Sequence, residues 1–402
     1  MGFQIGAPIV SDKHFFGRTR SMEKLKRVID EYYQGVINHV ALLGIRRIGK
    51  SSVLKKIERE LSLQGFVAIY LNLEKVEKNA AAFFVNLSEA SVRKYVEVKG
   101  LSDSRAFLEE AKLKIRKSKD ALVSMLSSVK LSVALAELIE IGLQLERTPL
   151  RWRECGKQLF GLLERLSREQ KVVIMIDEFG LISKYPERID LLEFLRGQLS
   201  ESKVPFLLSG SQNIMRMVPE EKDFWTAILL DYRLEFWERD EVQEALQSRF
   251  DDEDYTVLDI DRVTEEVYTR TDGHPLHVNI LGAILEELSD RRRGTSKKII
   301  SSDMVQAAYE EYISGRRYER QGFGYYLRRL DRDAKSIVKT IAVNEPVDID
   351  ILLQLVKMDR SVVLEYLQDL EYDFYIYRDS GSFRMADPMF RDWLKRKFGE
   401  QG

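Results

Sequence analysis

Two glycines, a lysine and a hydroxyl stand at fixed spacing in GIRRIGKSS, residues 44–52. The pattern Gly44-x-x-x-x-Gly49-Lys50-Ser51 has one well-defined chemical use. Glycines let backbone N–H groups curl around phosphate oxygens. A helix starting at the lysine adds free donors and the positive end of its dipole. The lysine reaches the terminal phosphates, and the hydroxyl ligates Mg²⁺. All nine residues, Gly44, Ile45, Arg46, Arg47, Ile48, Gly49, Lys50, Ser51 and Ser52, are therefore candidates to cradle a nucleotide's phosphates. A second constellation lies in KVVIMIDEFG, residues 171–180, where an apolar run delivers Asp177 and Glu178. The aspartate is expected to hold Mg²⁺ through its waters, and the glutamate to polarise the attacking water as general base.

These residues need elements to position them. HVALLG (39–44) reads as a strand ending at a glycine. KSSVLKKIERELSLQG (50–65) reads as a helix, with Val53, Leu54, Ile57 and Leu61 on one face and Gly65 closing it. The continuous apolar run 172–176 fits a strand covered on both faces. Ligands of open α/β sheets bind at the C-terminal edge of the strands, where Asp177 and Glu178 fall. VPFLLSGSQ (204–212) supplies a further strand, ending in Ser209, Ser211 and Gln212. A polar group there either meets a γ-phosphate or the attacking water, or simply caps the strand. FVAIYLNLE (66–74) and YRLEFW (232–237) complete a mostly parallel sheet. A helix is expected ahead of the first core strand, between Thr19 or Ser21 and Gly35.

A long insertion, about 75–150, separates the second and third strands. No proline occurs between residues 9 and 148, which permits long helices at 79–98 and 103–127. Beyond them, Val129, Leu131, Val133 and Leu135 alternate with polar or small residues, and so do Ile139, Ile141, Leu143 and Leu145. That alternation predicts a β-hairpin, either packed on its own core or offered as an edge to a partner.

Residues 239–330 read as a helical lid, with a break at Asp272-Gly273-His274-Pro275. From 331 to 402, three short amphipathic helices, an alternating DFYIYRDSGSFRMA and a basic closing helix read as a winged helix. The expected class is thus an α/β P-loop NTPase core (1–238), a helical lid (239–330) and a C-terminal winged helix (331–402).

Composition bounds the alternatives. The 402 residues carry a net charge of −2, so no global field draws the chain to nucleic acid or membrane. No apolar run is long enough to span a bilayer, and the start lacks a signal-peptide pattern. The single cysteine, Cys155, forbids an internal disulfide and fits a reducing, cytoplasmic setting. His274 and His277 are read as ordinary histidines rather than metal ligands. The presumed groove-reading helix of the winged unit, 359–373, carries Arg360 against Asp359, Glu365, Asp369, Glu371 and Asp373. Phosphates repel such a helix. Segment 290–335 is basic instead, with 12 Lys and Arg against 7 Asp and Glu. It is either a solvated face and linker or a nucleic-acid surface.

Phe16-Gly17-Arg18, the arginine pair inside GIRRIGKSS, MIDE at 175–178, LSGSQ at 208–212, Gly273-His274-Pro275 and MADPMFRDWL at 385–394 together resemble the archaeal-type ATPase family. That family belongs to the STAND division of AAA-like P-loop ATPases. The resemblance implies ATP and Mg²⁺ as cofactors. It implies Gly17 and Arg18 beside the adenine and ribose, Lys50, Ser51 and Asp177 on phosphate and Mg²⁺, and Glu178 catalytic. Ser211 becomes the first sensor, and Gly273 and Pro275 link the lid to the nucleotide. A winged-helix histidine that senses the β-phosphate in relatives is replaced here by Ala386. Arg46, Arg47 and Arg216 are candidates for transition-state charge stabilisation. The resulting expectation is an ATP-hydrolysing switch that signals to a protein partner or to self-assembly. A DNA-acting ATPase of the initiator or transposition-regulator type is the alternative.

Overall fold

The computed structural model describes residues 15–100, 103–117, 133–211, 214, 229–252, 254–291, 298–314 and 323–399. They form two compact units. One comprises 20–43 and 50–233; the other comprises 44–49 and 234–402 together with the residues up to Thr19.

The first unit is built on a five-stranded sheet of β1 (His39–Leu43), β2 (Val67–Asn72), β3 (Val172–Asp177), β4 (Phe206–Gly210) and β5 (Leu229–Arg233). The spatial order is β2-β3-β4-β1-β5, and every pair is parallel. Every residue of β1, β3 and β4 is buried, so both faces of the central strands are covered. This explains why their sequences are continuous apolar runs rather than alternating ones. The helix α1 (Thr19–Tyr32) buries Met22, Leu25, Val28 and Ile29. The helix α2 (Lys50–Leu63) buries the four residues expected of it and packs on β2, β3 and β4. The fifth strand lies three residues earlier than expected: pairing covers 229–233, and 234–237 leave the sheet.

The insertion is helical. The helices α3 (Ala80–Val98) and α4 (Ser104–Lys117) match expectation as far as Lys117, and 118–132 lie outside the described residues. The expected hairpin is overturned: Val133–Arg147 is a helix, α5. It packs against α3 and against α6 (Trp152–Glu169), and α7 (Arg188–Glu201) follows β3. Leu135, Ala136, Leu138, Ile139, Ile141, Leu143 and Leu145 are all buried. Glu137, Glu140, Gln144 and Arg147 recur at helical spacing on its less buried side, so the polar residues marked the helix while the apolar ones also fell at every second place.

At the start of β1, His39 ties two elements together. Its Nε2 lies 2.8 Å from the Leu199 carbonyl, and its Nδ1 accepts the Phe206 N–H at 3.1 Å. The neutral ring with its proton on Nε2 satisfies both. A second proton on Nδ1 would face an N–H. Burial holds the pKa at about 4, below the usual 6.5, although the Leu199 bond opposes the shift. The unfolded chain therefore binds this proton first. His39 is expected to contribute roughly 3 kcal/mol above pH 6.5, lost as pH falls toward 4. Denaturant titrations at pH 7 and pH 4.5, beside NMR titration of the ring, check this. A ring that titrates normally would refute it.

In the second unit, one apolar cluster runs from Trp237 to Leu394. It gathers α8 (Arg239–Asp252), α9 (Ile260–Thr271), α10 (Pro275–Arg291), α11 (Asp303–Ser314) and α12 (Phe323–Arg329). It continues through α13 (Arg332–Asn344), α14 (Ile349–Val356) and α15 (Arg360–Tyr372) to α16 (Pro388–Phe398). Between α15 and α16, β8 (Ile376–Asp379) and β9 (Ser382–Met385) pair antiparallel around Ser380-Gly381. Both turn residues have positive φ, 49° and 91°, as a two-residue hairpin requires. A short parallel pair, β6 (Thr256–Val257) with β7 (Ile299–Ile300), lies beside the helices. Among the described residues no helix is long and apolar enough to cross a membrane.

Candidate functional site: a phosphate loop and an acidic strand end

Parallel strands bring their C-terminal ends to one edge. There Leu43 stands in register with Gly210 and with Arg233, and Asn72 with Asp177. The loop 44–49 leaves β1 at this edge and runs straight into α2 at Lys50. Its conformation is not one that an ordinary sequence adopts. Gly49 has φ +105° and Arg47 has φ +62°, both in the left-handed region. Glycine meets that requirement at no steric cost. Lys50 is 8% exposed, and Ser51 and Ser52 are half-buried.

Arg18 secures this loop. Its guanidinium donates to the Ile48 carbonyl at 3.0 Å and to the Glu235 carbonyl at 2.5 Å. Its own N–H donates to Glu241 Oε1 at 2.8 Å. Gly17 and Arg18 both have positive φ, and a Cβ on Gly17 would sit 2.9 Å from the Trp237 indole nitrogen and from Glu241. The structure thus gives Arg18 a loop-anchoring position.

Asp177 is fully buried at the end of β3. Its Oδ2 accepts from the Tyr70 hydroxyl at 2.7 Å and from Asn72 Nδ2 at 3.2 Å. Its Oδ1 accepts from the Ser209 hydroxyl and from the Glu178 N–H, the latter at 3.1 Å. Four donors fix the orientation of one carboxylate. Burial, and then the Asp177 charge, push the Tyr70 hydroxyl pKa well up, so it stays a donor. Lys55 lies over the Tyr70 ring at 4.4 Å. Tyr70, Asn72 and Ser209 were not singled out for this role in the sequence. The register Asn72↔Asp177 is the only signal that would have found two of them. Glu178, half-buried, follows with φ +56°, which turns the chain out of the strand. Ser211 stands just past β4, half-buried; Arg216 lies outside the described residues.

Gly273 has φ +71°, and its carbonyl accepts the Trp237 N–H at 2.9 Å. His274 and Pro275 then open α10. The two histidines are fully buried. His277 lies 2.9 Å from the Tyr312 hydroxyl and 2.9 Å from both carboxylate oxygens of Asp387. Burial pushes the Asp387 carboxyl up, but the His277 ring beside it wins and holds its pKa at about 2. His274 accepts the Leu276 N–H at Nδ1, which leaves its proton on Nε2. Burial, then His277, keep its pKa near 3. These contacts tie α10 to the start of α16, 110 residues apart.

The loop arginines have partners in the C-terminal segment. The Arg47 guanidinium lies over the Tyr326 ring at 5.4 Å. A narrow cavity is lined by Ile45 and Arg46 together with Tyr326, Phe374, Asp387 and Phe390. Ala386 donates its N–H to the Tyr375 carbonyl. Of the basic stretch 290–335, Arg291 is paired with Glu287 and Glu311, and 292–297 and 315–322 lie outside the described residues.

Residues 37–218 match the model of the AAA domain, and this segment is an AAA-type P-loop domain. Among solved structures, the Walker-type ATPase of Pyrococcus abyssi is similar over 97% of this chain and 99% of its own, with 19% identity and a TM-score of 0.68. The two share a fold. The Aeropyrum pernix ORC1 protein, solved in complex with DNA, matches over 96% of this chain and 94% of its own, at 16% identity and TM-score 0.45. The Thermotoga maritima RuvB Holliday junction branch migration motor matches over 94% and 95%, at 16% identity and TM-score 0.43. No curated protein matches the chain.

Proposed function

We propose that this chain is a Mg²⁺-dependent ATPase of the STAND kind, whose nucleotide state is read by its C-terminal segment. Lys50 binds the terminal phosphates. Ser51 and Asp177 offer the hard oxygen donors that Mg²⁺ prefers. When bound, Mg²⁺ neutralises phosphate charge. Tyr70, Asn72 and Ser209 hold Asp177 so that it meets the cation's waters in one orientation. Glu178 takes the proton of the attacking water. Ser211 reports on the γ-phosphate, and Gly17, Arg18, Gly273 and Pro275 border the base and sugar. In this reading 1–238 is the ATPase core, 239–330 the lid, and 331–402 a winged helix.

One observation carries the switch reading: the arginines inside the phosphate loop meet residues of the proposed lid and of the segment that follows it. Arg47 lies over Tyr326, and Arg46 shares a cavity with Phe374, Asp387 and Phe390. A loop that tightens around phosphates must carry those side chains with it. Signalling then needs no winged-helix histidine, which agrees with alanine at 386. Output passes to a protein partner or to further copies, in a cytoplasmic setting.

The test begins with Lys50→Ala. Loss of a charge-assisted phosphate contact is expected to weaken binding of ATP with Mg²⁺ about a hundredfold. Fluorescent-nucleotide titration measures it, beside ³²P release by the unaltered chain. Undiminished binding would overturn the assignment of the loop. Binding without any phosphate release would leave a nucleotide-bound scaffold in place of an ATPase.

A further inference from the structure

The helix α14 reads IDILLQLV, and six of its eight residues are aliphatic. A helix that is apolar on all sides is normally buried on all sides. This one is covered on one side only. Leu352 is buried, and Ile349, Leu353 and Val356 are half-buried, which marks the inner face. Ile351 and Leu355, one turn apart on the opposite face, are each 47% exposed.

The next helix extends this surface. Arg360, the first residue of α15, pairs with Asp350 at 3.2 Å, so that side of α15 is turned toward α14. Leu364 lies one turn on from Arg360 along the same side and is 43% exposed. Single exposed apolar residues are ordinary; a concentration of them is not. Of the fourteen large hydrophobic side chains exposed among the described residues, six lie from Val343 to Tyr377, so the exposure gathers in this part of the chain.

Acids rim the apolar residues. Residues 348–373 hold seven Asp and Glu against two Lys and Arg. Of the two cations, Arg360 is taken by Asp350, and Lys357 ends α14. Glu365 and Asp369 stand exposed on the outer side of α15.

We propose that the outer face of α14 and α15 docks a protein partner through a basic amphipathic helix. Its three aliphatic side chains suit leucine or isoleucine anchors spaced one helical turn apart. The acidic rim attracts Lys and Arg on the flanks of such a helix and speeds the encounter. The same rim selects against other occupants. Phosphates of nucleic acid or lipid meet it and are repelled. A second copy in a two-fold contact would set this acidic face against itself. Docking here gives the switch its protein partner and so rests on that reading of the chain, while binding itself needs no nucleotide.

The test titrates the full chain, without nucleotide, against a labelled leucine–lysine peptide of about 18 residues, patterned as an amphipathic helix. Fluorescence anisotropy reads it from about 50 to 200 mM salt. The same peptide with glutamate for lysine is the counter-probe. The unaltered chain is expected to bind the basic peptide and not the acidic one. Ile351→Ser with Leu355→Ser is expected to weaken binding about tenfold, because two anchoring contacts are lost. Glu365→Lys with Asp369→Lys should weaken it by a similar factor at low salt and flatten its salt dependence; it keeps the test decisive should the serine variant unfold. Val36→Ser with Ile37→Ser, an apolar pair of similar exposure in the first unit, serves as control and should lose nothing. Nucleotide affinity, measured in parallel, should hold in every variant, so failure of docking and failure of the ATPase site are seen apart. Four results would overturn the proposal: no binding of the basic peptide by the unaltered chain; equal binding of the acidic peptide; a loss in the control as large as in the α14 variant; or self-association in solution that Ile351→Ser with Leu355→Ser abolishes, which would make a second copy the occupant.

Discussion

Glu178→Gln is expected to bind ATP as tightly as the unaltered chain and to hydrolyse it about 10³-fold more slowly. Glu178 follows Asp177, and its left-handed backbone, φ +56°, turns the chain out of the strand at the sheet's C-terminal edge. Its N–H is already used on Asp177 and Ser209, which fixes the backbone that carries the side chain. Glutamine keeps the shape and removes only the proton acceptor. Loss of a positioned general base costs 10²- to 10⁴-fold in rate. Single-turnover hydrolysis read beside nucleotide affinity separates the two. A fall of less than tenfold would mean that another group activates the water. A loss of affinity of the same size would mean that Glu178 holds the nucleotide instead.

The second large effect is structural. Gly273→Ala is expected to destabilise the second unit by about 3 kcal/mol or more. A Cβ at this position would stand 2.0 Å from the Trp237 carbonyl oxygen and 3.2 Å from the Tyr268 ring. The first neighbour is backbone and cannot swing aside. The same Trp237 donates its N–H to Gly273, so relief of the clash breaks that bond too. The φ of +71° adds left-handed strain. Chemical denaturation with ATP affinity in parallel is the measurement. A variant within 1 kcal/mol of the unaltered chain would show that the turn relaxes, and that the glycine is there for room at a ligand.

The site was legible in the sequence where chemistry forces residue types. A phosphate loop needs its glycines, lysine and hydroxyl in consecutive order, so GIRRIGKSS stands out without any structure. The strand ending in Asp177 was legible because a buried parallel strand is a bare apolar run. What surrounds the aspartate was not. Tyr70, Asn72 and Ser209 come from two other strands and meet it only through register. Arg18 reaches a carbonyl 30 residues on and another 217 on, and His277 meets Asp387 across 110. Such pairs leave no local spacing. Periodicity failed for a different reason at 133–147, where the apolar residues also fit an alternating pattern and the helical spacing showed only in Glu137, Glu140, Gln144 and Arg147. The arginines of the loop were legible as charges, but their contact with Tyr326 and the segment beyond it was not.

The anchoring of that loop bears on what counts as an autonomous piece of this chain. The stretch recognisable as an AAA domain runs from 37 to 218. The residues that brace its phosphate loop lie outside those limits on both sides: Arg18 before it, and Glu235, Tyr326 and Phe390 after it. Excised at its homology boundaries, the segment would keep the sheet, Lys50 and Asp177, yet lose every one of these braces. The family match marks one stretch of the chain. In the proposed reading, competence to hold a nucleotide belongs to a longer stretch, in which residues from before and after it finish the loop.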